Sequence, residues 1–246
     1  MNKRKLAVFV EGQTELVFVR EFLKQWYGYD ANAIGFACYN LQNNEFRDVA
    51  YQYGNEDSEN YFMLVNVGND NSVLSKILSR LTYLVNQGYQ LVIGLRDMYS
   101  KPYVQDAGGH VIDESVNQKH IDAVKDVLNV TANGDRVDFH FAIMEVEAWL
   151  LGMYDYLLSV DKRLTKEFIM ESIGVDLEED PEKTIFRPAV ELDRIYGLAG
   201  KQYDKHLSDI ETIMSILKTD DFCKLMYSGK CNTFKLFAES LLGRKF

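Results

Sequence analysis

The chain of 246 residues has only three prolines and no low-complexity stretch that would act as a linker. A second, independently folding domain is therefore not required by the sequence. Basic residues are also scarce, since 27 Lys and Arg stand against 37 Asp and Glu and give a net charge of -10. This balance excludes a global basic field that would attract nucleic acid or an anionic membrane. Any nucleic-acid contact has to be local or mediated by a metal ion.

Cysteine is rare, and no apolar run is long enough for a membrane span. The three cysteines are odd in number and lack the close Cys and His spacing of a zinc site, which predicts free thiols in a reducing compartment. These are Cys38, Cys223 and Cys231. Only five apolar residues, Leu6 to Val10, precede Glu11, too few for a signal-peptide core. We expect a cytoplasmic protein without a membrane partner.

Four apolar runs of strand length alternate with helix-like segments. The runs are "LAVFV" from Leu6, "YFMLVNVG" from Tyr61, "QLVIGLRDMY" from Gln90, and "RVDFHFAIMEVEAWLL", which continues into a helix. A helix with an Asn-Ser entry is expected from Asn71. Alternating strands and helices predict an α/β fold with a mostly parallel sheet and helices on both faces.

No convincing strand follows Leu158, and the rest of the chain has helical periodicity. We therefore expect an α/β core over residues 1–158 and a helical C-terminal extension over residues 159–246, packed on the core as one structural unit.

Acidic residues follow three of the predicted strands. Glu11 ends the first strand, Asp97 ends the third, and Glu145 and Glu147 follow the fourth. The carboxyl ends of parallel strands meet at one edge of a sheet, where functional groups collect. Carboxylates converging there could hold a hard cation such as Mg²⁺ through oxygen ligands. Ion pairs or backbone donors would account for each acid equally well.

Glu147 is the most informative of these acids. Its helix carries an apolar stripe at Leu150, Leu151, Tyr154 and Leu158. Glu147 lies on the centre of that stripe and should point inward, whereas Glu145 should point away. A buried carboxylate is costly unless it is paired, so Glu147 needs a cation, a metal or donors. Gly12, after Glu11, would allow a tight turn or a close approach to a ligand.

Several motifs resemble a bacterial family of TOPRIM-like proteins catalogued as a domain of unknown function. They are "FVEGQTELVFVREFL", "VIGLRDMYS", "EVEAWLL" and the tail elements "QYDKHLSDIETIM" and "CNTFKLFAESL", in that order. TOPRIM domains occur in topoisomerases, primases and nucleases of the overcoming-lysogenization-defect type. The resemblance covers nearly the whole chain and implies a TOPRIM-like, compact parallel α/β fold.

The resemblance also implies roles for single residues. Glu11 would be the general acid or base, and an Asp-x-Asp motif would bind Mg²⁺ or Mn²⁺. Asp97 matches the first aspartate, but Tyr99 stands at the position of the second. A tyrosine hydroxyl, with a pKa near ~10, is a poor Mg²⁺ ligand, so metal affinity should fall.

Other acids could replace the missing aspartate. Glu147 is the best placed, and Glu145, Asp106 and Asp113 are further substitutes. Lys101 would support a phosphate, or it would neutralise Asp97 and leave an inert scaffold.

Two functions follow from this resemblance. The first is a Mg²⁺-dependent nuclease or phosphodiesterase, in defence against phage or mobile DNA, with basic help from Arg20, Arg96, Lys101 or Arg187, which form no cluster in the sequence. The second is a catalytically degenerate TOPRIM-like scaffold that binds a nucleotide or a protein partner such as an ATPase. No P-loop, dinucleotide fingerprint or nucleophile elbow is present, and the four histidines are scattered. The sequence leaves the oligomeric state open.

Overall fold

The computed structural model describes residues 3–43, 45–68 and 72–246 and has an α/β fold. Six strands form one sheet: β1 Arg4–Val10, β2 Ile34–Gln42, β3 Glu45–Tyr53, β4 Asn60–Asn66, β5 Leu91–Asp97 and β6 Val137–Ala142. Their order across the sheet is β3-β2-β4-β1-β5-β6. The pairs β1/β4, β1/β5 and β2/β4 are parallel, while β2/β3 is antiparallel. The predicted α/β class with a mostly parallel sheet is confirmed.

Thirteen α-helices occur in the described residues. They are α1 Gln13–Trp26, α2 Val73–Leu78, α3 Leu81–Asn86, α4 Lys101–Asp106, α5 Glu114–Asn129, α6 Glu147–Gly152, α7 Leu157–Val160, α8 Lys166–Ile173, α9 Pro181–Thr184, α10 Pro188–Leu198, α11 Leu207–Ile216, α12 Thr219–Tyr227 and α13 Asn232–Leu242. Two short 3-10 helices span Gly134–Arg136 and Tyr154–Tyr156. The predicted helical character of the C-terminal region is confirmed. Within the described part of the chain, no helix has the length and apolar character that crossing a bilayer requires.

The four predicted strands correspond to β1, β4, β5 and β6, but the β2/β3 hairpin was missed. Strand β3 lies at the edge of the sheet and has no buried residue, so its sequence "EFRDVAYQY" lacks the apolar run used to find strands. In β2, only the first five residues are buried.

The helix predicted from Asn71 is also different in the structure. Asn71 itself lies outside the described residues, and the segment after it forms two short helices, α2 and α3. The expected single helix was therefore wrong from Ser79 onward, where a turn separates the two.

The chain divides into two compact units. The first unit contains the residues up to Arg96 together with Gln118–Phe141, and the second contains Asp97–Asn117 and Ala142–Phe246. The predicted division into residues 1–158 and 159–246 is not tested by these units and stays a prediction.

In the first unit, helices cover both faces of the sheet. Ala7 and Phe9 of β1 pack in one apolar cluster with Ile77 of α2 and Leu84 of α3. Successive strand residues point to opposite faces, so the buried Val8 faces the other side. Helix α1 contacts β1, β2 and β4 there.

The second unit is built around Trp149 of α6. Its ring is completely buried and packs against Phe234 and Phe237 of α13, with ring centroids 5.4 and 5.6 Å away. The indole N–H donates to Oε1 of Glu182 over 2.9 Å. This bond satisfies the one polar atom of a large core side chain.

All three cysteines are free thiols, as predicted. Cys38 and Cys231 are buried, and burial raises the pKa of the Cys38 thiol to about 12. These two residues therefore act as small core side chains.

Candidate functional site

Backbone hydrogen bonds hold the stretch after β5 beside the stretch after β6. The N–H of Met98 donates to the carbonyl of Ala142 over 2.9 Å, and the N–H of Tyr99 donates to the carbonyl of Met144 over 3.0 Å. Asp97 and Tyr99 are thereby fixed next to the segment that carries Glu145.

Met144 turns the chain at this point. Its φ is 62°, in the left-handed region that non-glycine residues rarely adopt, and its side chain is fully buried. The following N–H, of Glu145, donates back to the carbonyl of Ile143 over 3.0 Å. Helix α6 then begins at Glu147, so this turn decides where both glutamates point.

Glu147 is 0% exposed, which confirms its predicted inward orientation. Its Oε1 accepts a hydrogen bond of 2.8 Å from the Tyr203 hydroxyl and lies 3.3 Å from Nζ of Lys205. Its Oε2 is also buried and has no hydrogen-bond partner among the described residues. One carboxylate oxygen is thus well bound, and the other is a buried acceptor without a donor.

Glu145 was expected to point away, but it joins the same cluster. Its side chain is 18% exposed, its Oε1 lies 2.6 Å from Nζ of Lys205, and its Oε2 accepts from the N–H of Ala189 over 3.1 Å. The expectation failed because α6 starts two residues later than predicted, so a helical wheel does not describe Glu145. The helix also ends at Gly152, and Leu158 of the predicted stripe is exposed.

The Lys205 ammonium bridges the two glutamates. Burial lowers its pKa, but the carboxylates of Glu147, Glu145 and Asp97 outweigh this effect and raise the pKa above its ordinary value. Burial raises the pKa of the Glu147 carboxyl, and the Glu145 charge adds to this, while Lys205 opposes it. Lys205 therefore stays charged at neutral pH, and Glu147 holds a proton more tightly than an exposed glutamate.

The loop from Tyr203 to His206 is fixed by acidic side chains. The N–H of Tyr203 donates to Asp193 over 2.9 Å, and the N–H of His206 donates to Asp209 over 3.1 Å. Lys205 has a φ of 56°, so a second left-handed non-glycine residue occurs at this cluster. Backbone strain of this kind collects at functional sites, where the surrounding structure enforces it.

Lys101 is exposed and forms no ion pair with any residue of the described chain. Lys205, rather than Lys101, is the cation at the acidic cluster. Asp106 is the exposed last residue of α4. Asp113 precedes α5, and its carboxylate accepts from the N–H groups of Ser115 and Val116. The structure therefore gives Asp113 a helix-capping role.

Glu11 and Gly12 belong to the first unit. Glu11 follows β1 directly, and its carbonyl accepts from the N–H of Gly68 over 2.9 Å. Gly12 is the N-cap of α1, and its N–H donates to Oε2 of Glu15 over 2.8 Å. Its φ of -143° is extended backbone that any residue adopts, so the turn does not require glycine.

The second unit contains several carboxylates, the ligand type that Mg²⁺ prefers. No group of three or more His, Cys, Asp or Glu side chains in residues 3–43, 45–68 and 72–246 is arranged to hold a metal ion. Mg²⁺ is, however, often bound through only one or two carboxylates, with water and substrate phosphate completing its shell. The unsatisfied Oε2 of Glu147 and the nearby Asp97 offer such hard oxygen donors. The residues fit a cation of this kind, which would compete with Lys205.

Sequence reasoning missed Lys205 and Tyr203 as site residues. Both lie in the tail element "QYDKH", whose resemblance to the TOPRIM-like family gave the only available signal. Their distance of 56 residues or more along the chain from Glu147 hid the contact.

Comparisons of the chain with protein-family models, with curated proteins and with solved structures found no match. The resemblance to the TOPRIM-like family therefore stays a prediction.

Proposed function

We propose that the protein is a metal-dependent, TOPRIM-like phosphodiesterase that cleaves nucleic acid, with Asp97 and Glu147 holding Mg²⁺ or Mn²⁺. The observation that carries this proposal is the complete burial of Glu147 within a cluster of acids, with no donor to its Oε2 among the described residues. A buried carboxylate is costly, and a bound cation offsets that cost. The reaction class comes from the family resemblance, which also suggests defence against phage or mobile DNA.

The bound cation would polarise a phosphoryl oxygen and lower the pKa of a bound water. Lys205 keeps its proton and reduces the repulsion between the acidic cluster and an approaching phosphate. The N–H of Ala189 fixes Glu145, and Tyr203 fixes Glu147, so both glutamates are held in place by residues far along the chain. The resemblance assigns proton transfer to Glu11, and the cation site proposed for the second unit does not depend on that role.

Strain in the backbone supports a functional site here. Met144 and Lys205 both have positive φ, at 62° and 56°, and both lie next to the glutamates. Each such residue costs on the order of 1–3 kcal/mol. A purely structural ion pair needs no strained backbone. The strain at Met144 and Lys205 therefore favours a functional role for the adjacent glutamates.

A second candidate function is a scaffold without catalysis that binds a protein partner, such as an ATPase, or a nucleotide. The observation that favours it is Lys205, which already supplies a positive charge 2.6 Å from Glu145 and 3.3 Å from Glu147. Tyr99 at the position of the second aspartate also favours the scaffold, because a neutral phenol is a poor Mg²⁺ ligand.

Isothermal titration of Mg²⁺ and Mn²⁺ separates the two functions. Wild-type protein, Asp97→Ala, Glu147→Gln and the control Asp155→Ala are titrated at moderate salt. Asp155 is an exposed carboxylate of the same unit that is paired with Lys224. We expect saturable binding that is lost in the first two variants and kept in the control.

A cleavage assay on fluorescent single-stranded and double-stranded DNA, with the same variants, then tests the reaction itself. No saturable metal binding by the wild type would remove the metal-dependent proposal and leave the scaffold. Equal binding by the wild type and Glu147→Gln would place the metal elsewhere.

A further inference from the structure

A cavity of about 620 Å³ lies in the second unit, within the usual size range of ligand pockets. Helices α8 and α10 and the segment that joins them provide most of its lining, and His110 adds to it. Its apolar surface comes from side chains such as Met170, Ile173, Val175 and Ile185. The proposed phosphodiesterase chemistry uses none of these residues.

Arg187 supplies an available positive charge at this cavity. It is exposed, it precedes α10, and its Nη2 lies 3.3 Å from Nδ1 of His110. Within the described chain Arg187 forms no ion pair, whereas the other arginine of the cavity, Arg194, is paired with Glu191 at 2.6 Å. The guanidinium of Arg187 therefore keeps donors for an anion, and its planar fork suits a phosphate.

Phe186, the residue before this arginine, contacts two further aromatic rings. The ring of Phe186 contacts Tyr99 edge-on at a centroid distance of 5.8 Å and His110 edge-on at 5.3 Å. Tyr99 is 38% exposed although it is a large aromatic residue. Partly exposed rings next to an arginine that has no carboxylate partner among the described residues are a combination on which unpaired nucleobases stack.

The charges around the cavity limit the ligand. Asp176, Glu179 and Glu191 contribute carboxylates, and Arg187 is the one lining arginine without a carboxylate partner among the described residues. A triphosphate would bring several negative charges toward these acids and meet a single available guanidinium. One phosphodiester group suits this arrangement better, and carboxylates can accept hydrogen bonds from base amino groups.

The cavity and the acidic cluster share two short stretches of chain. Tyr99 comes two residues after Asp97, and the first turn of α10, directly after Arg187, donates the N–H of Ala189 to Glu145. The cavity and the acidic cluster therefore belong to the same unit and are linked by short stretches of chain.

We infer that this cavity binds one unpaired nucleotide of a single-stranded nucleic acid, with its phosphate on Arg187 and its base among Tyr99, Phe186 and His110. The inference rests on the proposed function and specifies its substrate class as single-stranded nucleic acid.

The test is fluorescence anisotropy with a short labelled single-stranded DNA and with the same strand annealed to its complement, in EDTA and at low salt. The variants are Arg187→Gln and Phe186→Leu, and the control is Arg163→Gln. Arg163 is an exposed arginine of the same unit that is paired with Asp161. Thermal unfolding confirms that each variant is folded.

We expect the single strand to bind more tightly than the duplex, and each cavity variant to weaken it by about tenfold. The control should change the affinity by less than about twofold, as expected for one surface charge. Duplex binding that equals or exceeds single-strand binding would overturn the inference. The inference would also be overturned if Arg187→Gln lost no more affinity for the single strand than the control Arg163→Gln. Preferential displacement of the strand by free mono- or triphosphate nucleotides would overturn it as well.

This result is independent of the metal titration because no divalent cation is present. Strand binding without any metal site would leave the cavity intact and remove the proposed reaction. Metal binding without strand binding would overturn the inferred nucleotide cavity and leave the metal site of the proposed function in place.

Discussion

The hydroxyl of Tyr203 and the ammonium of Lys205 meet the same oxygen, Oε1 of Glu147, at 2.8 and 3.3 Å. Tyr203 and Glu147 are both buried, and burial raises the pKa of the Tyr203 hydroxyl, with the Glu147 charge adding to this effect. The hydroxyl therefore stays protonated at neutral pH and acts as a donor to Glu147. The acidic cluster is thus held by groups that do not lose their protons near neutrality.

Replacing Lys205 by methionine should destabilise the protein by about 3 kcal/mol, because Glu147 would remain buried without its cation. The double variant Lys205→Met/Glu147→Gln should recover much of this loss, since it removes the uncompensated charge. Urea unfolding of the wild type, both single variants and the double variant measures the coupling. Additive losses would show that Lys205 and Glu147 do not stabilise one another.

Tyr99→Asp should increase Mg²⁺ affinity by about tenfold, because a carboxylate is a far better Mg²⁺ ligand than a neutral phenol. Titration calorimetry measures the change, with Tyr99→Phe as the control that removes only the hydroxyl. The same Tyr99→Asp variant should lose affinity for single-stranded DNA, since it removes a ring and adds a negative charge. An unchanged Mg²⁺ affinity would contradict a metal site at Asp97.

Glu182 should make the protein less stable as the pH rises. Burial raises its pKa to about 7, although Thr233 and Trp149 donate to its carboxylate and oppose this shift. Between about pH 4.5 and about pH 7 the folded state keeps a proton that the unfolded state has lost, so stability is full below this window and falls through it. The expected loss is about 3 kcal/mol.

Urea unfolding near pH 4.5 and near pH 8 tests this, with Glu182→Gln expected to reduce the difference between the two conditions. The control is Glu178→Gln, an exposed glutamate whose pKa is lowered by Lys166, so removing it should not reduce the difference between the two conditions. A pH dependence that is the same in Glu182→Gln and the wild type would show that Glu182 is ionised in both states.

Gly35→Ala should cost about 1–3 kcal/mol, because the new Cβ would lie 2.2 Å from the carbonyl oxygen of Asn55. The same change at Gly197, in α10, meets no atom within 4 Å and should stabilise the helix by about 0.5–1 kcal/mol. Thermal unfolding of the two variants makes a matched comparison. Equal effects would show that the β2 backbone moves to make room.

The parts of the fold that could be predicted depend on contacts between neighbours in the sequence. The strand of Leu6–Val10 is almost entirely apolar and was found, whereas β3, with alternating polar residues at the sheet edge, was not. Glu147 was identified from the apolar residues that follow it at helical spacing, Leu150, Leu151, Tyr154 and Leu158. Periodicity carries such local information and nothing about distant partners.

For the same reason, the sequence could predict only part of the candidate site. The strand ends predicted Glu11, Asp97, Glu145 and Glu147 as a group, of which the last three belong to the second unit and Glu11 to the first. Lys205 lies 60 residues after Glu145, in a loop with no regular structure, and its φ of 56° has no signature in the sequence. The cation proposed from the sequence, Lys101, is close to Asp97 in the chain but is exposed and forms no ion pair among the described residues.

The position of β1 in the middle of the sheet has a consequence for synthesis on the ribosome. This first strand pairs on one side with Asn60–Asn66 and on the other with Leu91–Leu95, in parallel register on both sides. Neither β4 nor β5 has been translated when β1 leaves the ribosomal exit tunnel. The apolar side chains of β1 therefore stay unburied until tens of further residues have been translated. Pairing between strands that lie far apart in the sequence slows folding, and it leaves aggregation-prone apolar surface exposed until the partners are present. The apolar residues of β1 should therefore stay exposed, and open to aggregation, until β4 and β5 have been translated.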